Sequence, residues 1–128
     1  MITIELAGRI AALLSVRTTP WSPRSGDRFV LPGRDIDQEF VISEMTIEVA
    51  EVASERLIRF NGTTEWALDS IGVGEVLWLP WEHQLRELLG DRFVALARVD
   101  EGYAVTLSDG SRHLDADAES AYAAALLS

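Results

Sequence analysis

Apolar residues at the start of the chain recur at the spacing of a helix. Between residues 2 and 15 most fall three or four positions apart: Ile2, Leu6, Ile10, Leu13 and Leu14. This spacing predicts an amphipathic helix with one face directed at the core. Pro20 and Pro23 follow, and each proline fixes its own φ and disfavours helix at the residue before it. Residues 18–23 are therefore predicted to form a loop.

Four runs rich in β-branched residues come next, separated by turn residues. They lie at 27–31, 39–42, 45–52 and 55–61. Short runs at this spacing predict an antiparallel meander. A helix stays open as an alternative for part of this segment, because four acids there also share helical spacing. These acids are Glu44, Glu48, Glu51 and Glu55.

The pattern changes from strand-like to helix-like in residues 60–81, which hold three of the four tryptophans. Thr63 or Thr64 is a suitable N-cap, since its hydroxyl can accept an unpaired backbone N–H. We expect a short helix from there to about Ile71. Gly72 and Gly74 are expected to end that helix, because glycine adopts the left-handed conformation that a C-cap needs.

A second helix is predicted directly after this one. Residues 75–79 are too few for a helix and too apolar for a loop, so we expect a short buried strand or extended segment there. Pro80 fits the first turn of the next helix, where its missing N–H has no cost, and Gly90 closes it. The apolar face of this helix is formed by Trp81, Leu85 and Leu88.

The last third of the chain has the clearest alternation of apolar and polar positions. Strands are predicted at 93–99, 103–107 and 111–114. Asp109-Gly110 predicts a two-residue hairpin turn in which both residues take positive φ. The segment 100–102 predicts a three-residue turn with its glycine in the left-handed region.

A C-terminal helix completes the pattern, with Asp115 or Asp117 as its N-cap. Its apolar stripe consists of Ala118, Ala121, Tyr122, Ala125 and Leu126. The chain of 128 residues has the length of one ordinary domain. We therefore predict a single α+β domain over residues 1–128, with an antiparallel β-meander packed against N-terminal, central and C-terminal helices.

Composition excludes several classes of function. The chain has no cysteine, which removes disulfides, thiolate metal sites and cysteine nucleophiles. No segment has the roughly 18 apolar residues that cross a bilayer, and the first residues lack signal-peptide features, so a cytoplasmic location is expected. The net charge is −10, and residues 61–128 carry four Arg against twelve acids. Binding to nucleic acid or to anionic membranes is disfavoured, because both depend on basic side chains.

The loop after the first helix is the one locally basic region. Four arginines lie between residues 17 and 34, with one acid, Asp27. Arg24 and Arg28 can fork onto a carboxylate or phosphate, and the indole of Trp21 offers a stacking face. This pattern favours an anion-binding or partner-binding arm. The alternative is a solvated loop whose arginines meet the protein's own acidic surface.

The tryptophans are the second candidate. Trp66, Trp78 and Trp81 fall within sixteen residues. Large aromatic side chains are enriched at interfaces, because they bury much area at low entropic cost. They are also common in the cores of small domains. The stretch is therefore either a binding surface or a buried seam.

Three titratable side chains form the weakest candidate. Glu65 and Asp69 lie one turn apart in the predicted helix, and within a cleft they can act as general acid and base together with His83. On a solvent face they form an ordinary like-charge pair. No phosphate-binding loop, nucleophile elbow or spaced metal motif is present in the sequence. We predict no catalytic residue, no metal and no cofactor.

Four segments carry a resemblance to a known family: GDRFVLP at 26–32, FVISEMT at 40–46, FNGTTEWALD at 60–69 and LWLP at 77–80. With these segments the chain resembles a family of small uncharacterised bacterial proteins, found in actinobacteria and Gram-positive relatives, that often carry the label of pilus-assembly proteins. The resemblance extends over the whole chain. It implies a bacterial, cytoplasmic protein of one domain, without catalytic residues.

Three hypotheses for function follow. The first is a non-enzymatic interaction or adaptor module that binds an unknown protein partner or a second copy of itself. The second is a small-ligand binder or minor enzyme with a cleft near Glu65, Asp69 and His83. The third is an acidic immunity-type protein or inhibitor that masks a basic partner, for which the acidic second half is suited.

Overall fold

The computed structural model describes residues 1–32, 39–42, 48–52, 55–59, 70–72 and 76–128. The chain divides into two compact units. Unit 1 consists of Met1–Thr19 and Pro80–Ser128, and unit 2 consists of Pro20–Leu79. Helices and antiparallel three-stranded sheets are both present in the described residues, so the predicted α+β class is confirmed. A single domain over residues 1–128 stays a prediction.

The first helix of unit 1 is α1 (Ile4–Val16), close to the predicted bounds. Its N-cap is Thr3, whose hydroxyl accepts the backbone N–H of Leu6 at 3.2 Å. One face is buried and packs against the C-terminal helix. That face is formed by Ala7, Ile10 and Leu14.

The end of α1 is a Schellman motif built without glycine. Thr18 donates its N–H to the carbonyl of Ser15 at 3.1 Å, and Thr19 donates to the carbonyl of Leu14 at 2.9 Å. This arrangement places Thr18 at a φ of 54°, in the left-handed region. A β-branched residue is strained there, because its side chain crowds the backbone.

Helix α2 (Glu82–Leu89) is the helix predicted after Pro80. Its N-cap is Trp81, whose N–H donates to Oε1 of Gln84 at 2.9 Å, so Pro80 precedes the helix and does not occupy its first turn. Gly90 has a φ of 56° and ends α2, as predicted. A single 3-10 turn, Gly90–Arg92, leads into the next strand.

Unit 1 contains one sheet, with strand order β7-β8-β9. Its strands are β7 (Phe93–Val99), β8 (Gly102–Leu107) and β9 (Arg112–Asp115). All three predicted strands are therefore confirmed, with bounds shifted by one residue at most. A bulge between Phe93 and Ala95 interrupts the pairing of β7 with β8.

The β8–β9 hairpin corrects one prediction. Gly110 has a φ of 85°, but Asp109 does not lie at positive φ. Gly110 donates its N–H to the carbonyl of Leu107, and Leu107 donates to Ser111, each at 2.9 Å. The loop is thus the three-residue type with one left-handed glycine. Asp109 instead accepts the N–H and hydroxyl of Ser111, at 2.8 and 2.6 Å, which holds its side chain over the turn.

Helix α3 (Ala118–Leu127) closes unit 1 and packs on β8, β9, α1 and α2. Asp117 is its N-cap, as predicted, and accepts the N–H and hydroxyl of Ser120 at 3.1 and 3.0 Å. Its buried alanines allow close approach of the neighbouring elements. Tyr122 is buried, and its ring lies 5.7 Å from that of Phe93. Because Phe93 pairs with Leu107, α3 covers the face of the sheet to which these two residues belong.

The described residues of unit 2 form two sheets. The first has the order β2-β1-β6, with β1 (Arg28–Val30), β2 (Phe40–Val41) and β6 (Leu77–Trp78). The second has the order β3-β4-β5, with β3 (Glu48–Val52), β4 (Glu55–Arg59) and β5 (Ser70–Gly72).

This topology corrects the prediction of one meander over residues 27–61. β1 and β2 belong to one sheet, in which β1 also pairs with the distant strand β6, and β3 and β4 belong to the other. The helical alternative is wrong for the acids at 48, 51 and 55, which lie in β3 and β4. Glu44 lies outside the described residues.

The central stretch also departs from its prediction. Ser70–Gly72 is strand β5, and Ile71 pairs with Ile58 of β4, so a helix does not extend to Ile71. Pairing with β4 satisfies the backbone there in place of helical bonds. The predicted cap at Thr63 or Thr64 lies outside the described residues. The short strand expected within 75–79 is present as β6.

Candidate functional site

Trp21 and Trp78, two of the predicted site residues, stack on each other in unit 2. Their ring centroids are 6.0 Å apart and their planes differ by 3°. Both side chains are half-buried. The indole N–H of Trp21 donates to Oδ2 of Asp27 at 2.8 Å. The loop tryptophan is therefore fixed by a ring on one side and a carboxylate on the other.

Asp27 is the polar centre of this arrangement, and only 3% of it is exposed. Its Oδ2 also accepts the backbone N–H of Arg24 at 3.0 Å. The backbone N–H of Asp27 donates to the carbonyl of Arg24 at 3.1 Å, and Gly26 between them has a φ of 90°. This is a type II turn, which needs a residue such as glycine at its third position. A buried carboxylate is tolerated here because it accepts these hydrogen bonds.

Aromatic side chains continue across the sheet from this stack. Phe29 of β1 pairs with Phe40 on one side and with Trp78 on the other. Directly paired residues of antiparallel strands share a face, so these three lie in one row. The rings of Phe29 and Phe40 are 5.5 Å apart and nearly parallel. We call Phe40, Phe29, Trp78 and Trp21 the aromatic row.

The aromatic row contains one unsatisfied polar atom. Nε1 of Trp78 is buried and has no hydrogen-bond partner in the described part of the chain. A buried donor without a partner costs about 1–3 kcal/mol. The row nevertheless forms, because stacking and apolar burial outweigh this cost.

The two candidate arginines of the loop have different surroundings. Arg28 is only 4% exposed, and its Nε donates to the carbonyl of Leu79 at 3.2 Å. The backbone of Leu79 in turn donates to the carbonyl of Arg28 at 2.8 Å. Arg28 thus joins β1 to the end of β6, whereas Arg24 is exposed. Of these two, Arg24 is the one accessible to a partner.

The remaining candidate residues belong to unit 1 or lie outside the described residues. Trp81 and His83 belong to unit 1, at the start of α2, where Trp81 is half-buried and His83 is exposed. Glu65, Trp66 and Asp69 lie outside the described residues. The site built from Glu65, Asp69 and His83 therefore stays a prediction.

Strand β7 is a second candidate surface, which the sequence analysis did not identify as a site. In the sheet of unit 1 it pairs with β8 alone, so no strand among the described residues pairs with its other edge. Val94 is 57% exposed, and Ala95, Ala97 and Arg98 are exposed as well. The signal in the sequence is a seven-residue strand with one charged residue and two exposed alanines. Alternation predicted the strand, but only the sheet order shows that it lies at an edge.

The direction of the β7 backbone groups follows from the pairing of β8. Leu107 donates its N–H to Ser111, so Leu107 and every second residue before it bond to β9. Ala104 and Thr106 therefore bond to β7, where their partners are Ala97 and Ala95.

The residues between those partners point the other way. Leu96 and Arg98 direct their N–H and C=O groups away from β8. We call the outward side of residues 95–99 the β7 edge. It presents two backbone donors and two acceptors in a regular segment beyond the bulge.

No group of three or more His, Asp or Glu side chains lies close enough to bind a metal ion among the residues that the structure describes. Among those residues, none of the helices combines the length and the apolar character that crossing a membrane requires. A cytoplasmic location stays a prediction.

Comparison with known proteins assigns no relative. No protein-family model matches the chain, and neither a curated protein nor a solved structure matches it. The resemblance to the small bacterial family labelled as pilus-assembly proteins therefore remains an expectation from the sequence.

Proposed function

We propose that this protein is a non-enzymatic interaction module that binds an extended segment of a polypeptide along the β7 edge. The observation that supports this proposal is the unpaired side of β7, a seven-residue strand with exposed apolar side chains. An added strand satisfies the outward backbone groups of Leu96 and Arg98. Strand addition to a sheet edge is a recurring mode of peptide recognition.

The energetics of the edge favour selective and reversible binding. Each intermolecular backbone hydrogen bond contributes about 0.5–1.5 kcal/mol net. Val94 adds apolar area, because more than half of it is exposed. Ala95 and Ala97 are small, so an approaching strand meets no bulky side chain on their face. Natural edges are often protected by charge or proline, and the β7 edge carries only Arg98.

The aromatic row supports this proposal indirectly. Its two phenylalanines and two tryptophans pack on one another, and the buried side chains of Asp27 and Arg28 form hydrogen bonds within unit 2. These residues are engaged in contacts within unit 2, so we assign them a role in its stability and place partner binding on the β7 edge. Arg24 is the exposed member of the predicted loop site, and its role in partner binding stays a prediction.

The decisive variant is Arg98→Pro. Proline has no N–H and is tolerated in strands where that group faces solvent, so the pairing of β7 with β8 should survive. Arg98→Ala is the matched control, because it removes the same side chain and keeps the backbone N–H. Ala97→Pro is the opposite control: it removes an N–H that bonds to β8 and should destabilise the fold.

The measurement is peptide selection. A display library of extended peptides, about eight residues long, is selected on wild-type protein, and the recovered peptides are tested on the variants. We expect Arg98→Ala to bind within a few-fold of wild type and Arg98→Pro to bind at least about tenfold more weakly. Circular dichroism should show both variants folded. Recovered peptides that bind Arg98→Pro as well as wild type would overturn the proposal, as would the recovery of none.

A further inference from the structure

We infer that the segment that adds to β7 is β7 of a second copy, in an antiparallel pairing whose two-fold axis passes beside Ala97. This inference rests on the proposed function and names its partner. The regular part of the edge, residues 95–99, is centred on Ala97. The bulge between Phe93 and Ala95 sets its lower limit, and the turn after Val99 sets its upper limit.

The charges at the two ends of β7 suit such a pairing. Arg92 lies directly before the strand, and Asp100 and Glu101, both exposed, lie directly after it. An antiparallel second copy brings the acidic end of each strand beside Arg92 of the other. The contact is made twice, once at each end. Opposite charges that meet in this way fix both direction and register.

The middle of the strand also suits its own copy. In the proposed register Ala97 faces Ala97, and Leu96 faces Arg98 of the second copy. Ala97 bonds to β8, so the two Ala97 residues form a non-hydrogen-bonded pair, the closer type, with Cα atoms about 4.5 Å apart. A small side chain fits that separation.

Backbone groups complete the match. Leu96 of each copy exchanges hydrogen bonds with Arg98 of the other, which gives about four new bonds. No outward N–H or C=O within residues 96–98 is then left unpaired. The two three-stranded sheets become one of six strands, a common size for sheets.

The association is expected to be weak. Five residues a side bury less than the roughly 1,200 Å² of a stable interface, so the dimer should form and dissociate readily. The high net negative charge of the chain opposes association as well. A test must therefore capture a transient state and must report the register.

The absence of cysteine makes such a test possible, because any introduced thiol is the only one in the chain. Three single variants are compared under mild oxidation: Ala95→Cys, Ala97→Cys and Val99→Cys. Only in Ala97→Cys do the two thiols face each other, within the Cα distance that a disulfide needs. We expect the covalent dimer of Ala97→Cys to form at least about tenfold faster than that of either other variant.

A second part of the test changes a charge at the end of β7. Glu101→Arg in the Ala97→Cys background should slow dimer formation several-fold, because it places like charges beside each other at both ends. Equal rates at the three positions, a maximum at another position, or no effect of Glu101→Arg would overturn the inference. If the thiols fail in this way while selected peptides still distinguish Arg98→Ala from Arg98→Pro, the interaction module stands and its partner is another protein. If both tests fail, both proposals fall.

Discussion

Units 1 and 2 are stabilised by different kinds of side chain. Unit 1 is held by helices that pack small and aliphatic residues on a sheet, and Ala121, Ala123 and Ala125 of α3 are completely buried. The first sheet of unit 2 has strands of three, two and two residues, and aromatic rings packed across them hold it together. Local periodicity specifies the first kind of unit, whereas contacts distant in sequence specify the second.

The largest effect on stability is expected from a substitution that disrupts the sheet of unit 1. Gly102 opens β8 at a φ of 152°, and a Cβ built on it would collide with the carbonyl oxygen of Asp115 and lie 2.6 Å from Cα of Ala116. Backbone atoms cannot move aside cheaply, so Gly102→Ala should lower the free energy of unfolding by about 2–4 kcal/mol. Urea unfolding followed by circular dichroism measures the change.

Gly8→Ala is the matched control for this prediction. Gly8 lies inside α1, and a Cβ there meets nothing within 4 Å. Alanine is a better helix former, so Gly8→Ala should raise the free energy of unfolding by about 0.5–1 kcal/mol. If Gly102→Ala costs no more than a few tenths of a kcal/mol, the close approach of Gly102 to β9 is contradicted.

The next effect concerns the aromatic row of unit 2. Trp21→Ala removes the stack on Trp78 and the bond to Asp27, and should cost about 2 kcal/mol, given that Trp21 is half-buried. Trp21→Phe keeps a ring for stacking and loses the N–H donor to Asp27, so a smaller cost of about 1 kcal/mol is expected. Hydrogen exchange of the β1 amides reports on unit 2 directly.

Trp78→Phe is a second test of the aromatic row. It removes the buried Nε1 that has no partner, so this change should cost less than Trp21→Phe although the chemical change is identical. A larger loss of β1 protection in Trp78→Phe than in Trp21→Phe would show that Nε1 of Trp78 does have a partner in solution.

A smaller effect should stabilise unit 1. Thr18 ends α1 in the left-handed region, where glycine carries no steric penalty, so Thr18→Gly should raise the free energy of unfolding by about 1 kcal/mol. Thr19→Gly is the control, because Thr19 does not have positive φ and its replacement should be neutral or destabilising. Thermal unfolding should show a higher Tm for Thr18→Gly and an unchanged or lower Tm for Thr19→Gly. An equal rise in Tm for both variants would contradict the strain at Thr18.

The smallest effect is a dependence on pH. Partial burial lowers the pKa of the Met1 ammonium, but the hydrogen bond to Asp117 and the charges of Glu119 and Asp117 outweigh it, so the pKa lies above its usual value of 8.0. A raised pKa on a cation stabilises the fold fully below pH 8, and this contribution is lost as pH rises through the folded value. Because Met1 is about half exposed and water screens the pair, the loss should be a few tenths of a kcal/mol.

Glu119→Gln tests this assignment. Oε2 of Glu119 lies 3.4 Å from the Met1 nitrogen, and an amide there would remove the charge while keeping an acceptor for the backbone N–H of Ile2. Urea midpoints between pH 7 and about 9.5 should fall less in the variant than in wild type. Burial raises the pKa of Tyr122 above 10.0, so this window excludes its titration. Identical slopes in the two proteins would contradict the ion pair.

The sequence predicted most of unit 1 because its signals are local. The stripe of α1, the glycine that ends α2, the alternation of β7 and β8 and the Asp117 cap each lie within a few residues of what they specify. The Asp109 turn was predicted with the wrong length, since an Asp-Gly pair occurs in two-residue and three-residue loops alike. Small local differences in hydrogen bonding decide between them.

Unit 2 was predicted less well because its pairings are not local. Nothing near β1 indicates that its second edge pairs with β6, almost fifty residues later, and Ser70–Gly72, where a helix was expected to end, is strand β5. Tertiary pairing overrode local propensity there. For the candidate site, composition indicated Trp21 and Trp78, but their stacking and the unpaired edge of β7 depend on sheet order.

The most direct test of the account is amide hydrogen exchange along β7 as a function of protein concentration. At high dilution the outward amides of Leu96 and Arg98 should exchange quickly, and that of Ala97, bonded to β8, slowly. As concentration rises, Leu96 and Arg98 should become protected together while Ala97 stays unchanged. The β7 edge is not the binding surface that we propose if the exchange rates of Leu96 and Arg98 do not change with protein concentration. The same conclusion follows if Ala97 exchanges as quickly as they do.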